Sequence, residues 1–351
     1  MTSARTIVRL SLPLALGQVG ILAMVLSDIV MVRRQEVSAL AALGLGLNFF
    51  FVLMAFGTGL LMAADSSISA AVARKDHDQA RHWAAQNFYV AVLAALGAFL
   101  ILQIIVHSLN DSTFAPDLVE QCQSYLRILA YSFFPFLMFF ALRQYLANQG
   151  KVIFSNAVIL LAIPLNIMVN GVLTFFYNGL VALAWGSLLV RAAMLAALLI
   201  YMNEKKLRKI ARPSMHDLLH LWRKGGQIGL QMTVRSGYFA ILGILVAKLG
   251  SRELAAHSLL LNVSSFLFMI PMGFNMALAI LVSQSQSSHQ VKTVFQHSLL
   301  LSLGLTASIS LILLTVANKV LHFFTTSSEV VHLAQGLILF LPVNMLCDSL
   351  Q

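Results

Sequence analysis

The chain has 351 residues, of which 59% are hydrophobic and 10% charged, with a formal net charge of +10. A mean hydropathy of +0.84 and a charge content far below the roughly 25% of soluble domains exclude a water-soluble globular protein. The basic residues lie between apolar runs, where membrane topology accounts for them, which argues against nucleic acid as a partner.

Apolar stretches recur along the whole chain, each long enough to cross ~30 Å of hydrocarbon as a helix. They are continuous and do not alternate, which favours helices over a barrel. Ten spans are predicted: 8–32, 39–72, 84–107, 122–146, 153–177, 180–202, 226–249, 254–283, 294–317 and 331–351. The first is too long for the apolar region of a signal peptide. Span one carries Asp28 in its outer part. Span two carries Asn48 and, toward its inner end, Asp65, which is expected to reach the cytoplasmic surface near Arg74. Span four contains Phe133, Phe134 and Phe136; with Phe49–Phe51 of span two, these are assigned to lipid-facing packing before a drug cavity. Span five carries Asn166 and Asn170, four residues apart and so on one helix face behind Pro164. Span six holds Arg191, for which the sequence names no partner. Span seven holds Arg235, span eight Asn262 and an interfacial His257, and span ten Asp348. Cys122 and Cys347 match no metal or redox spacing.

The long basic connection Lys205–Lys224 marks the lobe boundary, giving an N-lobe at 1–204, a linker at 205–224 and a C-lobe at 225–351. With the N-terminus inside, the cytoplasmic side collects 15 Lys and Arg residues, Arg143 among them, against 6 outside. The N-terminus is therefore expected in the cytoplasm.

Sliding the sequence on itself by 214 residues aligns Leu40–Asn48 with Leu254–Asn262 without a gap, and Gly59 with Gly273. Leu and Ala coincide easily in apolar helices. Asn48/Asn262 and Gly59/Gly273 are harder to obtain by chance, since Asn is costly in lipid and Gly weakens helices. The shift carries span one onto span seven, six spans on, so the copies are parallel repeats: two helical bundles facing a central cleft. Twelve spans are then expected, six in each bundle, against six plus four found, and the chain is expected to be truncated within its tenth helix.

Five charges fall well inside spans: Asp28, Asp65, Arg191, Arg235 and Asp348. Each costs about 2.5–3.5 kcal/mol at a helix centre, so each is a functional hypothesis. Asp28 is the first candidate for a coupling site. Among apolar helices it can load and release a proton, or hold Na⁺ with neutral oxygens from Asn166 and Asn170. A structural hydrogen-bonding role is the alternative.

The motifs resemble the multidrug and toxic compound extrusion (MATE) family. They are Ser27-Asp28-Ile29-Val30-Met31 followed by Ala39-Leu40-Ala41-Ala42, Pro164-Leu165-Asn166 with Asn170-Gly171, Ala255-Ala256-His257 through Pro271-Met272-Gly273, and Cys347-Asp348-Ser349-Leu350-Gln351. The resemblance implies two six-helix lobes, an Asp28 facing the N-lobe cavity, and drug/H⁺ or drug/Na⁺ antiport without any other cofactor. It also implies a monomer in the bacterial inner membrane. Many sodium-dependent members carry a glutamate where this chain has Arg235; by the resemblance, Arg235 and Asp348 point into the C-lobe cavity and pair there.

The leading expectation is export of small organic cations by alternating access. A lipid-linked oligosaccharide flippase of related architecture and a truncated inactive remnant are the alternatives. No HExxH, clustered metal-binding carboxylates, Ser/His/Asp set or Gly-rich phosphate loop points to an enzyme.

Overall fold

The computed structural model describes residues 4–32, 37–111, 116–177, 179–204, 212–247, 251–283, 288–324, 328–338 and 343. All its regular structure is helical: among the described residues there is no strand. The helices are α1 (Ala4–Val32), α2 (Val37–Ala73), α3 (His77–Ser108), α4 (Pro116–Leu129), α5 (Phe133–Asn148), α6 (Val152–Leu173), α7 (Gly179–Glu204), α8 (Met215–Ala247), α9 (Ser251–Ser283), α10 (Ser288–Phe324) and α11 (Ser328–Leu337). Among the described residues, seven segments are long and apolar enough to cross a membrane; one of them, Pro116–Asn148, joins α4 and α5 through a 3₁₀ turn at Ala130–Ser132. Each predicted span falls on a helix, with the fourth broken by that turn and the tenth described only in its first part.

Local chemistry sets the helix ends. The α5 helix stops in a Schellman motif: the Lys151 amide donates to the Leu146 carbonyl at 2.8 Å and Gly150 to Ala147 at 2.9 Å. Gly150 takes the left-handed position at φ 72°, where a side chain is disfavoured. The same motif ends α2, but there the left-handed residue is Lys75 at φ 60°. Asp76 then caps α3, its carboxylate accepting from the Gln79 amide at 2.9 Å.

The chain forms two compact units, Gly20–Ser236 and Met1–Val19 with Gly237–Gln351. In the first, α3 presents buried small residues at helical spacing, Ala80, Ala84, Ala91, Ala95 and Ala98, and packs against α2 and α5. Small side chains allow that close approach in a medium where hydrophobicity alone does not drive helices together. The α6 and α7 helices pair with each other, and α7 also contacts α4 and α5. Glycines let α8 meet α2: a β-carbon on Gly59 would lie 2.7 Å from the Gly229 Cα.

In the second unit α9 packs on α10 and α11. A β-carbon on Gly273 would come within 2.5 Å of the Ala15 side chain, and the Gln18 amide donates to the Met276 sulfur at 3.3 Å. Gly273 stands 214 positions after Gly59, and Gly229 stands 214 positions after Ala15. The two close crossings, one in each unit, thus obey the shift that relates the repeats.

Candidate functional site

Asp28, near the end of α1, is 4% exposed. A buried carboxylate needs donors or counter-charges, and α6 and α7 supply them. Asn166 and Asn170 sit on one face of α6, and both direct Nδ2 at Asp28 Oδ1, each at 2.7 Å. Asn166 Nδ2 also reaches the Ser27 hydroxyl at 3.1 Å, which itself donates to the Met24 carbonyl at 2.6 Å. From α7, the Ser187 hydroxyl donates to Asp28 Oδ2 at 3.2 Å. Both carboxylate oxygens are thereby engaged by neutral donors. The residue before Ser187 is Gly186, and a β-carbon there would overlap the Asn170 carboxamide, with Cγ only 2.9 Å away. Glycine is what lets α7 come close enough for Ser187 to reach the carboxylate.

One turn further along α7, Arg191 is 8% exposed. Its guanidinium donates to the Ser132 hydroxyl in the turn between α4 and α5. Its Cζ lies 4.7 Å from the centroid of the Phe50 ring and 5.5 Å from that of Phe136, within cation–π range. Its charge acts on Asp28 through space. A small cavity touches both ionic groups: Asp28, Ser187, Arg191, Phe51 and Phe136 line it, with Met24, Met54 and Met194 among the apolar remainder. Methionines and aromatic rings, whose side chains can adjust their packing, make up much of its wall.

The structure thus brings together four of the sequence candidates, Asp28, Asn166, Asn170 and Arg191, and adds Ser187 and Ser132. The aromatic runs assigned to lipid-facing packing are corrected in part. Phe50 and Phe133 stack at 4.5 Å inside the unit, and Phe136 is buried at the cavity.

Asp65 needs a second correction. It does not reach the surface: it is buried, and accepts from Asn148 Nδ2 at 2.8 Å and Gln144 Nε2 at 3.3 Å. Asn87 donates to Gln144 Oε1 at 3.1 Å, and Ser69 to Asn148 Oδ1. Arg143, grouped in the sequence with the cytoplasmic connections, is 1% exposed and acts electrostatically on Asp65. The physical reason is the pair of carboxamides on α5, Gln144 and Asn148, which donate to the carboxylate inside the unit.

Asn48 is exposed on α2 and Arg235 is half-buried on α8. Asp348 and the Asn262 side chain lie outside the described residues, and with Asp348 the expected Arg235–Asp348 pair. Among the described residues no group of three His, Cys, Asp or Glu side chains is placed to hold a metal.

The first turns of α3 are tied to the start of α8. The Gln86 side chain clamps a backbone stretch, donating to the Arg212 carbonyl at 2.8 Å and accepting from the Ser214 amide at 3.0 Å. His82 Nε2 meets Asp217 Oδ2 at 2.9 Å. The His82 contact, helped by Ser214 and His216, holds the Asp217 carboxyl below the usual carboxylate range.

Comparison with known proteins agrees with this architecture. The probable multidrug resistance protein NorM of Mannheimia succiniciproducens is 26% identical over 364 residues, covering 99% of this chain and 78% of that protein. The protein of the same description from Bacillus cereus is 22% identical, covering 98% of this chain and 79% of its own length. Among solved structures, the eukaryotic MATE transporter AtDTX14 superposes with a TM-score of 0.90 at 15% identity, over 98% of this chain and 80% of that one. An outward-facing multidrug resistance MATE family transporter of the MOP superfamily gives 0.88 at 18% identity, over 98% and 79% of the two chains. The MatE family model matches residues 13–172 and 228–351. Its second segment begins within a residue of the 214-residue shift seen in the sequence. The chain belongs to the MatE family, that of multidrug and toxic compound extrusion transporters.

Proposed function

We propose that the protein exports small organic cations in exchange for a coupling cation, H⁺ or Na⁺, by alternating access. It would act as a monomer in the bacterial inner membrane with its N-terminus in the cytoplasm. The observation that carries this reading is the buried Asp28, fixed by Asn166, Asn170 and Ser187 at the edge of a cavity walled by methionine and aromatic side chains. A carboxylate so placed attracts a cationic ligand to the apolar wall. A coupling cation taken up by Asp28 removes that attraction, so the two compete for one group, and competition yields exchange. The multidrug description of the NorM relatives supports the substrate class.

The flippase reading asks for several cationic side chains around a pyrophosphate. Among the described residues lining the cavity, Arg191 is the one Lys or Arg, which favours the exporter.

The test is reconstitution in liposomes loaded with ethidium, under imposed proton or sodium gradients. The reading expects dye movement that accelerates with one of the gradients and stops when it is collapsed. Dye movement indifferent to both would overturn it.

A further inference from the structure

The Asp28 cage satisfies the donor requirements of an alkali-cation site but not its charge requirement. With both carboxamides turned about, Asp28, Asn166, Asn170, Ser187 and Ser27 would offer a set of oxygens of the kind hard cations take. The Oδ1 atoms of Asn166 and Asn170 are buried and carry no hydrogen bond. By oxygen count alone, sodium fits.

Charge decides otherwise. A guanidinium does not deprotonate in a protein. Arg191 is held by the Ser132 hydroxyl and by the Phe50 and Phe136 rings, so its charge is fixed in the cavity it shares with Asp28. One carboxylate and one guanidinium leave the empty cage with no net charge. A sodium ion entering it would shed a tightly held water shell and leave an uncompensated positive charge among apolar helices, which is strongly unfavourable. A large, weakly hydrated organic cation resting on the methionine and aromatic wall bears less of that cost.

We propose that Arg191 is the specificity-determining residue of this site, a resident counter-ion that keeps sodium out of the Asp28 cage. The inference rests on the reading of Asp28 as the coupling carboxylate and narrows the ion that the N-lobe site accepts. Replacing the guanidinium by a neutral side chain of similar length removes the repulsion and should tighten sodium binding by at least about tenfold.

The experiment is thermal unfolding of the purified chain, titrated with sodium chloride against choline chloride at constant ionic strength. The expected result is no sodium-specific rise in Tm for the wild type or Arg191→Lys, which keeps the charge. Arg191→Met should show a saturable rise, lost again when Asp28→Asn is added. A saturable sodium response of the wild type that Asp28→Asn abolishes would overturn the proposal, whether or not Arg191→Met folds. So would a folded Arg191→Met that ignores sodium. Efflux by Asp28→Asn alone reports separately on the exporter reading: if it persists undiminished, that reading fails, whatever sodium does.

Discussion

Gly59 and Gly229 meet so closely that a β-carbon on Gly59 would stand 2.7 Å from the Gly229 Cα, and one on Gly229 would stand 2.7 Å from the Phe56 carbonyl oxygen. The neighbours in both cases include backbone, which cannot turn aside as a side chain can. Gly59→Val therefore forces α2 and α8 apart. The expected cost is about 1–3 kcal/mol, the range for overpacking a tight contact, read as a lowered Tm of the purified protein. Gly44→Ala serves as the control, since nothing lies within 4 Å of a β-carbon there; its Tm should change little or rise.

Gly186 tests the geometry of the cage without touching its charge. A methyl group there overlaps the Asn170 carboxamide and pushes its Nδ2 off Asp28. Loss of a hydrogen bond to a charged group costs about 1.5–3 kcal/mol, so Gly186→Ala should lower both stability and efflux. Adding Asn170→Ala removes the overlap, and the two substitutions should be clearly non-additive in a double-mutant cycle. Additive losses would mean that Gly186 matters for another reason.

Asp65 and Arg143 are both buried inside the unit and act on each other electrostatically, so taking away one weakens the compensation of the other charge. Asp65→Ala should destabilise by about 1.5–3 kcal/mol, as for other lost hydrogen bonds to a charged group, here those from Asn148 and Gln144. Asp65→Ala with Arg143→Met should recover part of that loss. A surface carboxylate would give almost no change in either case, which makes the Tm of the single variant the discriminating value.

The His82–Asp217 contact carries a pH signature. Asp217 has its carboxyl lowered from its ordinary value of 3.8, chiefly by the His82 hydrogen bond. A carboxyl lowered in the folded state contributes stability that is complete above its unfolded value and is lost as pH falls through its folded value. The attachment of the α8 start to α3 should therefore hold at neutral pH and weaken only below about pH 3.8. Asp217→Asn should flatten that acid limb of the Tm-against-pH curve. An unchanged acid limb would show that the contact contributes nothing to folding.

The helices were legible because each apolar run exceeds the thickness of the hydrocarbon layer, and helices are what such runs form without water. The turn at Ala130–Ser132 was not read, although Pro135 in the first turn of α5 marks the helix start that follows it. Within the cage, Asn166 and Asn170 declared themselves by their four-residue spacing and by the cost of amides in lipid. Ser187 gave no comparable signal: serine is common in membrane helices, and only the approach of α7 across Gly186 brings it to Asp28. Arg191 was conspicuous as a charge, but its partners Ser132 and Phe50 are far away in sequence. Asp65 and Arg143 were misread for one reason: a charge near a span end looks the same in sequence whether it reaches water or meets carboxamides from a neighbouring helix.

The most direct test of the account is the rate of gradient-driven ethidium efflux from proteoliposomes bearing wild type or Asp28→Asn, at matched protein content. The substitution keeps the size of the side chain and removes the charge that Asn166, Asn170 and Ser187 converge on. The Asp28→Asn rate should fall to that of protein-free vesicles while the purified variant still folds, with a Tm lowered by its weakened hydrogen bonds and by the loss of the charge opposite Arg191. A folded Asp28→Asn protein that exports the dye at the wild-type rate, with the same gradient dependence, would contradict it.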